Sequence, residues 1–421
     1  MEFVVLNENE YAEFYASFDR PCFWQSPMMA HFEESKGWKA HYVAVCDDEG
    51  QTIAAATLLS KHIFLKYDLF KALRGFLIDY DNLELLDFFL THLKTYLYDN
   101  HCLYFEMDPY VEYQKHEKDG SLSVVPNTRE DLMAEFAKHE FIHMGFRDGN
   151  NNSYEPRWMS VLKLEGKTEQ QVLKEMDSQT RQNVNNTIKT GIKVKELAVE
   201  EFSKLHEIVS ATGERRNFAN PGLDYYVKFK EAFKDKMTVL YAYLDTVDYE
   251  KRYVNEYNDL ELEKAHIEQL IAESDSPKNQ KKLDNCNQRL AAAKKRVDEA
   301  QNLRKEHGEE IALGAAMFVT TPYEIIYLFS GSYKEYNRFK GAYAIQWAMI
   351  KQAIAQHIER YNFYGVSGIF DESAEDYGVF LFKKGFNADV EELIGNFECI
   401  IHKDAYKLYH DLKDIKAKIK H

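Results

Sequence analysis

Cysteine is scarce and unpaired in this chain. Cys22, Cys46, Cys102, Cys286 and Cys399 are odd in number, widely spaced and in no paired motif. That excludes a disulfide framework and fits a reduced compartment. No apolar run approaches the roughly 20 residues a membrane span needs, and no basic–apolar–small order opens the chain. The expectation is a soluble cytoplasmic protein that meets a membrane only at its surface. Positive charge is also short: 53 Lys and Arg against 69 Asp and Glu leave a net charge of -16. This argues against a generic nucleic-acid coat protein but allows a local basic patch. No metal-ligand spacing, Ser-His-Asp arrangement, Walker loop or dinucleotide fingerprint occurs, so neither a metal nor a resident cofactor is expected.

What is plentiful is aromatic: 28 Tyr and 27 Phe in 421 residues, enough for large cores in about two to three domains. The stretch Ile311–Phe386 organises the rest. It reads strand (Ala312–Val319), strand (Tyr323–Ser330), helix (Gly341–His357), strand (Tyr361–Tyr364) and a lysine-bearing segment (Phe380–Phe386). The helix is apolar nearly all round, with Ala342, Ile345, Met349 and Ala353 on one face and Trp347, Ile350, Ile354 and Ile358 on another. Such a helix belongs between layers. An earlier run repeats the order: strands Ile53–Leu59 and Leu69–Ile78, helix Asn82–Tyr98, strand Leu103–Met107. The expectation is a duplicated α/β unit.

Around these units lie candidate charges with bland alternatives. Lys36 follows a helix opened by Ser26-Pro27, where a lysine usually answers the helix dipole. Asp108 ends a strand, where sheet proteins place reactive groups, or else Asp108-Pro109 starts a turn. Arg215 and Arg216, expected on a turn after helix Val199–Thr212, form either a fork for phosphate oxygens or a solvated pair. The polar loop Asp148–Ser153 marks a domain boundary. Strand Val390–Cys399 and a lysine-rich helix, Lys403–Lys420, close the chain. Its end (Lys416, Lys418, Lys420) either frays in solvent or touches anionic lipid.

Residues 249–308 interrupt the second unit. Tyr253, Tyr257, Leu260, Ile267 and Ile271, then Leu283, Cys286, Leu290, Ala293, Val297 and Ala300, keep four- and three-residue steps around the breaker Asp275-Ser276-Pro277. This predicts an antiparallel helical hairpin with a heptad seam. Its second limb is basic (Lys281, Lys282, Arg289, Lys294, Lys295, Arg296, Arg304, Lys305), a solvated face or a contact for a polyanion. The expected organisation is 1–147, first unit; 148–248 with 309–400, second unit; 249–308, helical arm; 401–421, C-terminal helix.

Four stretches carry a resemblance: Leu73-Arg74-Gly75-Phe76-Leu77-Ile78-Asp79-Tyr80, Met107-Asp108-Pro109-Tyr110, Arg360-Tyr361-Asn362-Phe363-Tyr364-Gly365-Val366-Ser367-Gly368 and Phe382-Lys383-Lys384-Gly385-Phe386. Together with the hairpin, they make the chain resemble the Fem family of non-ribosomal peptidyltransferases, close to its FemA-type members. The resemblance implies an α/β (α+β) fold of two tandem acyl-CoA N-acyltransferase (GNAT)-like subdomains with an inserted antiparallel coiled-coil arm. It implies transfer of an amino acid from aminoacyl-tRNA, as co-substrate and not cofactor, to the stem-peptide amine or growing bridge of lipid II or of a UDP-MurNAc-pentapeptide precursor. It implies work at the inner face of the cytoplasmic membrane, as a homodimer or beside other Fem proteins.

The same resemblance implies roles for residues. Lys36 and Arg215 would contact the precursor diphosphate, and Asp108 would orient the acceptor amine or take its proton. Phe382 and Lys383 would lie near the reacting ester, with Lys383 at the developing oxyanion. Tyr327 would be a site tyrosine, and Arg74 and Tyr364 would bind substrate. Two departures are visible. Phe329 replaces a second tyrosine, and Gln182-Asn183-Val184-Asn185-Asn186-Thr187 replaces a stretch that is often basic. Two other readings stay open. Arg338-Phe339-Lys340-Gly341-Ala342-Tyr343 is similar to the pyrophosphate turn of acetyl-CoA N-acyltransferases, except that Tyr343 stands where a small residue belongs. A catalytically silent scaffold is the third reading.

Overall fold

The computed structural model describes residues 1–419 apart from 125–127, 147, 148, 150–154 and 217. The expected boundary loop Asp148–Ser153 falls, apart from Gly149, outside the described residues. So do Lys420 and the side chains of Lys416 and Lys418.

Among the described residues the strands form two sheets, one of seven strands and one of eight. The first runs, in spatial order, Glu2–Val5, Lys39–Cys46, Thr52–Phe64, Tyr67–Ala72, Cys102–Met107, Phe397–Ile400 and Ile142–His143. The second runs Lys193–Glu196, Met237–Asp245, Glu310–Thr320, Glu324–Ser332, Arg360–Val366, Trp158–Lys163, Asp389–Leu393 and Glu112–Lys115. Both follow one scheme: four antiparallel neighbours, then a single parallel step, then antiparallel strands again. Two strands trade places. Glu112–Lys115 pairs in the second sheet and Phe397–Ile400 in the first, so the sheets do not divide the chain at 147/148 alone.

Each sheet is half of a layered core. Helix Leu83–Asp99 lays Leu86, Phe89, Leu93 and Leu97 on the first sheet. Its N-cap Asn82 accepts a hydrogen bond from the Leu85 amide at 3.0 Å, which satisfies one of the end's orphan donors. Helix Gly341–Ala355 buries Ile345, Trp347, Met349, Ile350 and Ala353 between the second sheet and helix Ser178–Thr190. Burial of each such large side chain stabilises by about 1.5–3 kcal/mol. The polar run 182–187 sits on that outer helix, whose inward face buries Asn183, Val184 and Thr187 while Gln182 and Asn186 are exposed. The opposite face of the second sheet carries helices Phe202–Arg216 and Leu223–Phe233. Phe32, from helix Pro27–Glu34, meets Tyr225 and Phe229 edge-on at 5.0 and 4.9 Å and so ties the modules together.

Helices Thr246–Glu273 and Pro277–His307 pack antiparallel through Leu260, Ile267, Cys286, Leu290 and Ala293. Ion pairs Arg289–Glu263, Arg296–Glu256 and Arg304–Glu250 cross between them at 2.8, 3.2 and 2.8 Å. Part of the second limb's positive charge is therefore spent on the first.

Three expectations are corrected. Leu69–Ile78 is not one strand. The strand ends at Ala72, and the chain turns through Arg74 (φ 58°) and Gly75 (φ 77°). A β-carbon on Gly75 would stand 2.8 Å from Pro109 Cα. Val390–Cys399 splits at Gly395 (φ 94°) into strands Asp389–Leu393 and Phe397–Ile400 that join different sheets. Arg215 and Arg216 lie in the last helical turn of Phe202–Arg216, not beyond it. Beyond these three, the lysine-bearing segment around Lys383 lies on a helix, Tyr377–Gly385.

Candidate active site

The parallel step of the second sheet comes apart. Strands Glu324–Ser332 and Arg360–Val366 pair at Glu324–Arg360, Ile325–Tyr361 and Ile326–Asn362, and no further. The ladder to strand Trp158–Lys163 is irregular at the same point, between Asn362 and Gly365. Tyr364 takes a left-handed φ of 67° there, a conformation unfavourable for an aromatic residue and held here by its surroundings. Its amide donates to Asn362 Oδ1 at 2.8 Å, which fixes the bulge. The distortion leaves two strand carbonyls, Tyr364 and Gly365, without a ladder partner on this side. Lys383 Nζ donates to them at 3.1 and 2.6 Å.

Lys383 is 4 % exposed, and among the described residues no carboxylate lies within ion-pair distance of it. Burial pushes its ammonium down to about 7, with distant Asp376 opposing. The cause is the cost of holding a charge away from water. Near neutral pH this lysine is thus present in both forms, so it can give or accept a proton.

The parted strands open into a cavity of about 470 Å³. Arg215, Tyr327, Tyr364, Phe382 and Lys383 line it together, as do Arg216 and Lys340. Arg215 is exposed at its edge and donates to the Ser332 carbonyl at 3.3 Å. Phe382 packs edge-on against Tyr343 at 4.9 Å, and burial pushes the Tyr327 phenol up. Helix Gly341–Ala355 begins at the cavity with no side-chain cap.

Asp108 lies elsewhere, in a smaller cavity of about 220 Å³ lined also by Lys71, Glu106, Glu155 and Glu398. It follows strand Cys102–Met107, accepts from the Arg74 amide at 2.8 Å and pairs with the Arg74 guanidinium at 3.2 Å. Both side chains are buried. Burial pushes the Asp108 carboxyl up, and Arg74 works against that. The two cavities share a wall. Tyr364, which lines the larger, donates its phenol to Glu155, which lines the smaller. Arg74 also donates to the Pro156 carbonyl at 2.9 Å, and Pro156 packs on Gly365. Lys383 and Asp108 are therefore joined by a short run of contacts, not by a common cavity. Lys36 lines neither cavity. It pairs with Glu33 at 2.7 Å and stacks over Phe32 at 4.8 Å.

Sequence reasoning did not find Glu155, a loop residue in no recognisable spacing. Nor did it give a role to Tyr110, whose hydroxyl accepts from Arg360 and Asn362 at 3.2 and 2.9 Å and donates to Glu324 at 3.2 Å, at the junction of the modules. Asp87, Glu135 and His139 place ligand-type atoms within 4.8 Å of one another. Lys138 already lies against Asp87 and Glu135, so a cation is in place there.

Residues 6–414 match the model of the FemAB family. The chain belongs to this family. It is 34 % identical over 420 residues to Aminoacyltransferase FemA of Staphylococcus epidermidis, covering 99 % of this chain and all of that one. It is 34 % identical over 423 residues to Aminoacyltransferase FemA of Staphylococcus aureus, covering both chains fully. The crystal structure of FemX superposes with a TM-score of 0.82 at 25 % identity, covering 97 % of this chain and 99 % of that one. As a FemAB-family fold, the molecule is mixed α/β with two sheets. Among its described residues no helix is long and apolar enough to cross a membrane.

Proposed function

We propose that this FemAB-family protein is an aminoacyltransferase of peptidoglycan cross-bridge synthesis. It moves an amino acid from aminoacyl-tRNA to the stem-peptide amine, or the growing bridge, of lipid II or its UDP-MurNAc-pentapeptide precursor. The observation that carries the reading is the cavity between the parted strands, with a buried lysine titrating near 7. The chemistry asks for such a group. The acceptor amine, with an ordinary pKa of about 10.4, loses a proton before its nitrogen attacks the ester carbonyl carbon. The C–N bond forms as the C–O bond to the tRNA ribose breaks, and the departing oxygen takes a proton. In this proposal the ammonium of Lys383 stabilises the oxyanion, gives its proton to the departing ribose oxygen and regains one from the attacking nitrogen, whose first proton has gone to solvent. Tyr327, Tyr364 and Phe382 shape the ester's surroundings, Arg215 meets phosphate at the edge, and Asp108, held by Arg74, faces the acceptor.

In this reading each sheet is an N-acyltransferase-like unit and the helix pair is a coiled-coil arm that meets tRNA through its remaining lysines. Lys36 reaches the precursor only by leaving Glu33. No resident cofactor is part of the reaction. The protein works at the membrane surface, alone or with another copy or another Fem protein. Incubation with lipid II and a mixture of charged tRNAs, read by mass spectrometry, tests this directly. One or more added aminoacyl masses are expected; an unchanged acceptor with every charged tRNA would overturn the proposal.

A further inference from the structure

Tyr110 stands where the chain leaves one sheet for the other. Strand Cys102–Met107 of the first sheet precedes it, and Glu112–Lys115 of the second follows. Its amide donates to the Arg74 carbonyl at 3.1 Å, which ties it to the end of the first sheet that Asp108 closes. Its hydroxyl belongs to the other module. It accepts from Arg360 and Asn362 and donates to Glu324, so both lone pairs and the proton are in use. Burial pushes the phenol up, and it stays a neutral donor.

Asn362 is 1 % exposed and ends the parallel pairing with strand Glu324–Ser332. Its side chain reaches two ways. Nδ2 donates to the Tyr110 hydroxyl at 2.9 Å and to Glu324 at 3.2 Å, while Oδ1 takes the Tyr364 amide. These partners allow one orientation. A flipped amide would set Nδ2 against the Tyr364 N–H and Oδ1 against the Glu324 carboxylate. Held this way, Oδ1 keeps Tyr364 at its left-handed φ, a backbone form an aromatic residue does not hold unaided. The consequence is felt by Lys383. In a regular strand successive carbonyls point to opposite edges. Here the Tyr364 and Gly365 carbonyls converge on one ammonium.

We propose that Tyr110 and Asn362 are positioning residues for Lys383. The first module's phenol sets the Asn362 amide, the amide holds the bulge, and the bulge presents the carbonyls that seat the ammonium. The turn Asp108-Pro109-Tyr110 thus carries a carboxylate into the smaller cavity and fixes the lysine of the larger one. The two modules are keyed to each other at the atoms that matter, not only through apolar packing. The bearing of this relay on transfer rests on the role proposed above for Lys383; its bearing on where Lys383 sits does not.

Two measurements on the full chain test this, the first without turnover. Acylation of Lys383 by trace acetic anhydride, followed against pH by mass spectrometry of its peptide, reads the titration of that amine. The midpoint is expected near 7 in the wild type. It is expected to be lower in both Tyr110→Phe and Asn362→Leu, because an ammonium stripped of acceptors is disfavoured. Tyr226→Phe, which loses a buried phenol bonded to Asn220 at 2.6 Å, should leave the midpoint in place. Circular dichroism checks that each variant is folded. No fall in either variant, a fall in only one of the two, or an equal fall in Tyr226→Phe would overturn the relay. In single-turnover transfer, Tyr110→Phe should slow the wild type about three- to tenfold, the order of one neutral hydrogen bond, with substrate affinity unchanged. Introduced into Lys383→Ala, it should change nothing further. The same loss in both backgrounds would overturn the proposal. A midpoint that falls as expected, with no aminoacyl transfer by any form, would leave the relay standing and remove the function proposed above. Transfer by the wild type with an unmoved midpoint in both variants would do the reverse.

Discussion

The two sheets follow one pairing scheme but finish their parallel step differently. In the first, strands Tyr67–Ala72 and Cys102–Met107 stay paired from Asp68–Cys102 to Ala72–Met107. Just beyond that pairing, Arg74 and Asp108 lock together as a buried ion pair. In the second, pairing stops at Ile326–Asn362 and the strands diverge around a cavity twice as large. There the buried charge is Lys383, met among the described residues by the Tyr364 and Gly365 carbonyls. One architecture thus supplies an end closed by a buried ion pair and an open end whose buried lysine meets carbonyls. Paired buried charges hold structure, and an unpaired one near its titration point is available for chemistry.

That contrast can be broken. The largest effect is expected at the closed end. Arg74→Ala leaves Asp108 buried without its partner and should cost about 3–5 kcal/mol in denaturant unfolding, with Arg74→Ala/Asp108→Asn recovering part of it. A loss near zero would mean that the pair does not hold that end. At the open end, Lys383→Ala should lower kcat by about 10²-fold or more with the fold intact; near-normal turnover would move the chemistry elsewhere.

Stability should show the same contrast with opposite sign. The folded pKa of Lys383, about 7, lies below the ordinary lysine value. Wild-type stability therefore carries a penalty that is full below about pH 7 and fades as pH rises toward the unfolded value. Lys383→Met should raise Tm by about 2 °C or more at pH 6 and by less at pH 9. A lower Tm at both pH values would show that the two carbonyl contacts outweigh the buried charge. The smallest effect belongs to the edge of the cavity. Arg215→Ala should raise the acceptor precursor's KM on the order of tenfold, the loss of one charge-assisted contact, and leave kcat nearly unchanged. Unaltered kinetics would remove Arg215 from the site.

Much of the fold was legible because its signals are local. Helix Gly341–Ala355 announces itself by apolar residues on all faces, and the hairpin by its stepped seam. Strand ends were not legible where the chain changes sheet or direction. Gly395 divides what reads as one strand, and Arg74, a non-glycine at positive φ, ends another. The site divides the same way. Arg215, Tyr327, Tyr364, Phe382 and Lys383 came from the family resemblance and line one cavity, while Lys36 and Asp108 do not line it. Periodicity could not reveal that Lys383 titrates near neutrality. That property arises from burial, a product of packing, which outweighs the distant Asp376 carboxylate. Glu155 was hidden for the same reason, since its importance lies in its place between two cavities.

The claim that the parted strands house the reacting ester rests on Lys383, and its pH–rate profile tests that most directly. Single-turnover transfer by the wild type is expected to fall as pH rises through about 7, where Lys383 gives up its proton. Lys383→Arg, which stays charged, should lose that falling limb while keeping the rising limb of the acceptor amine. A falling limb near 7 that persists unchanged in the arginine variant would contradict the account.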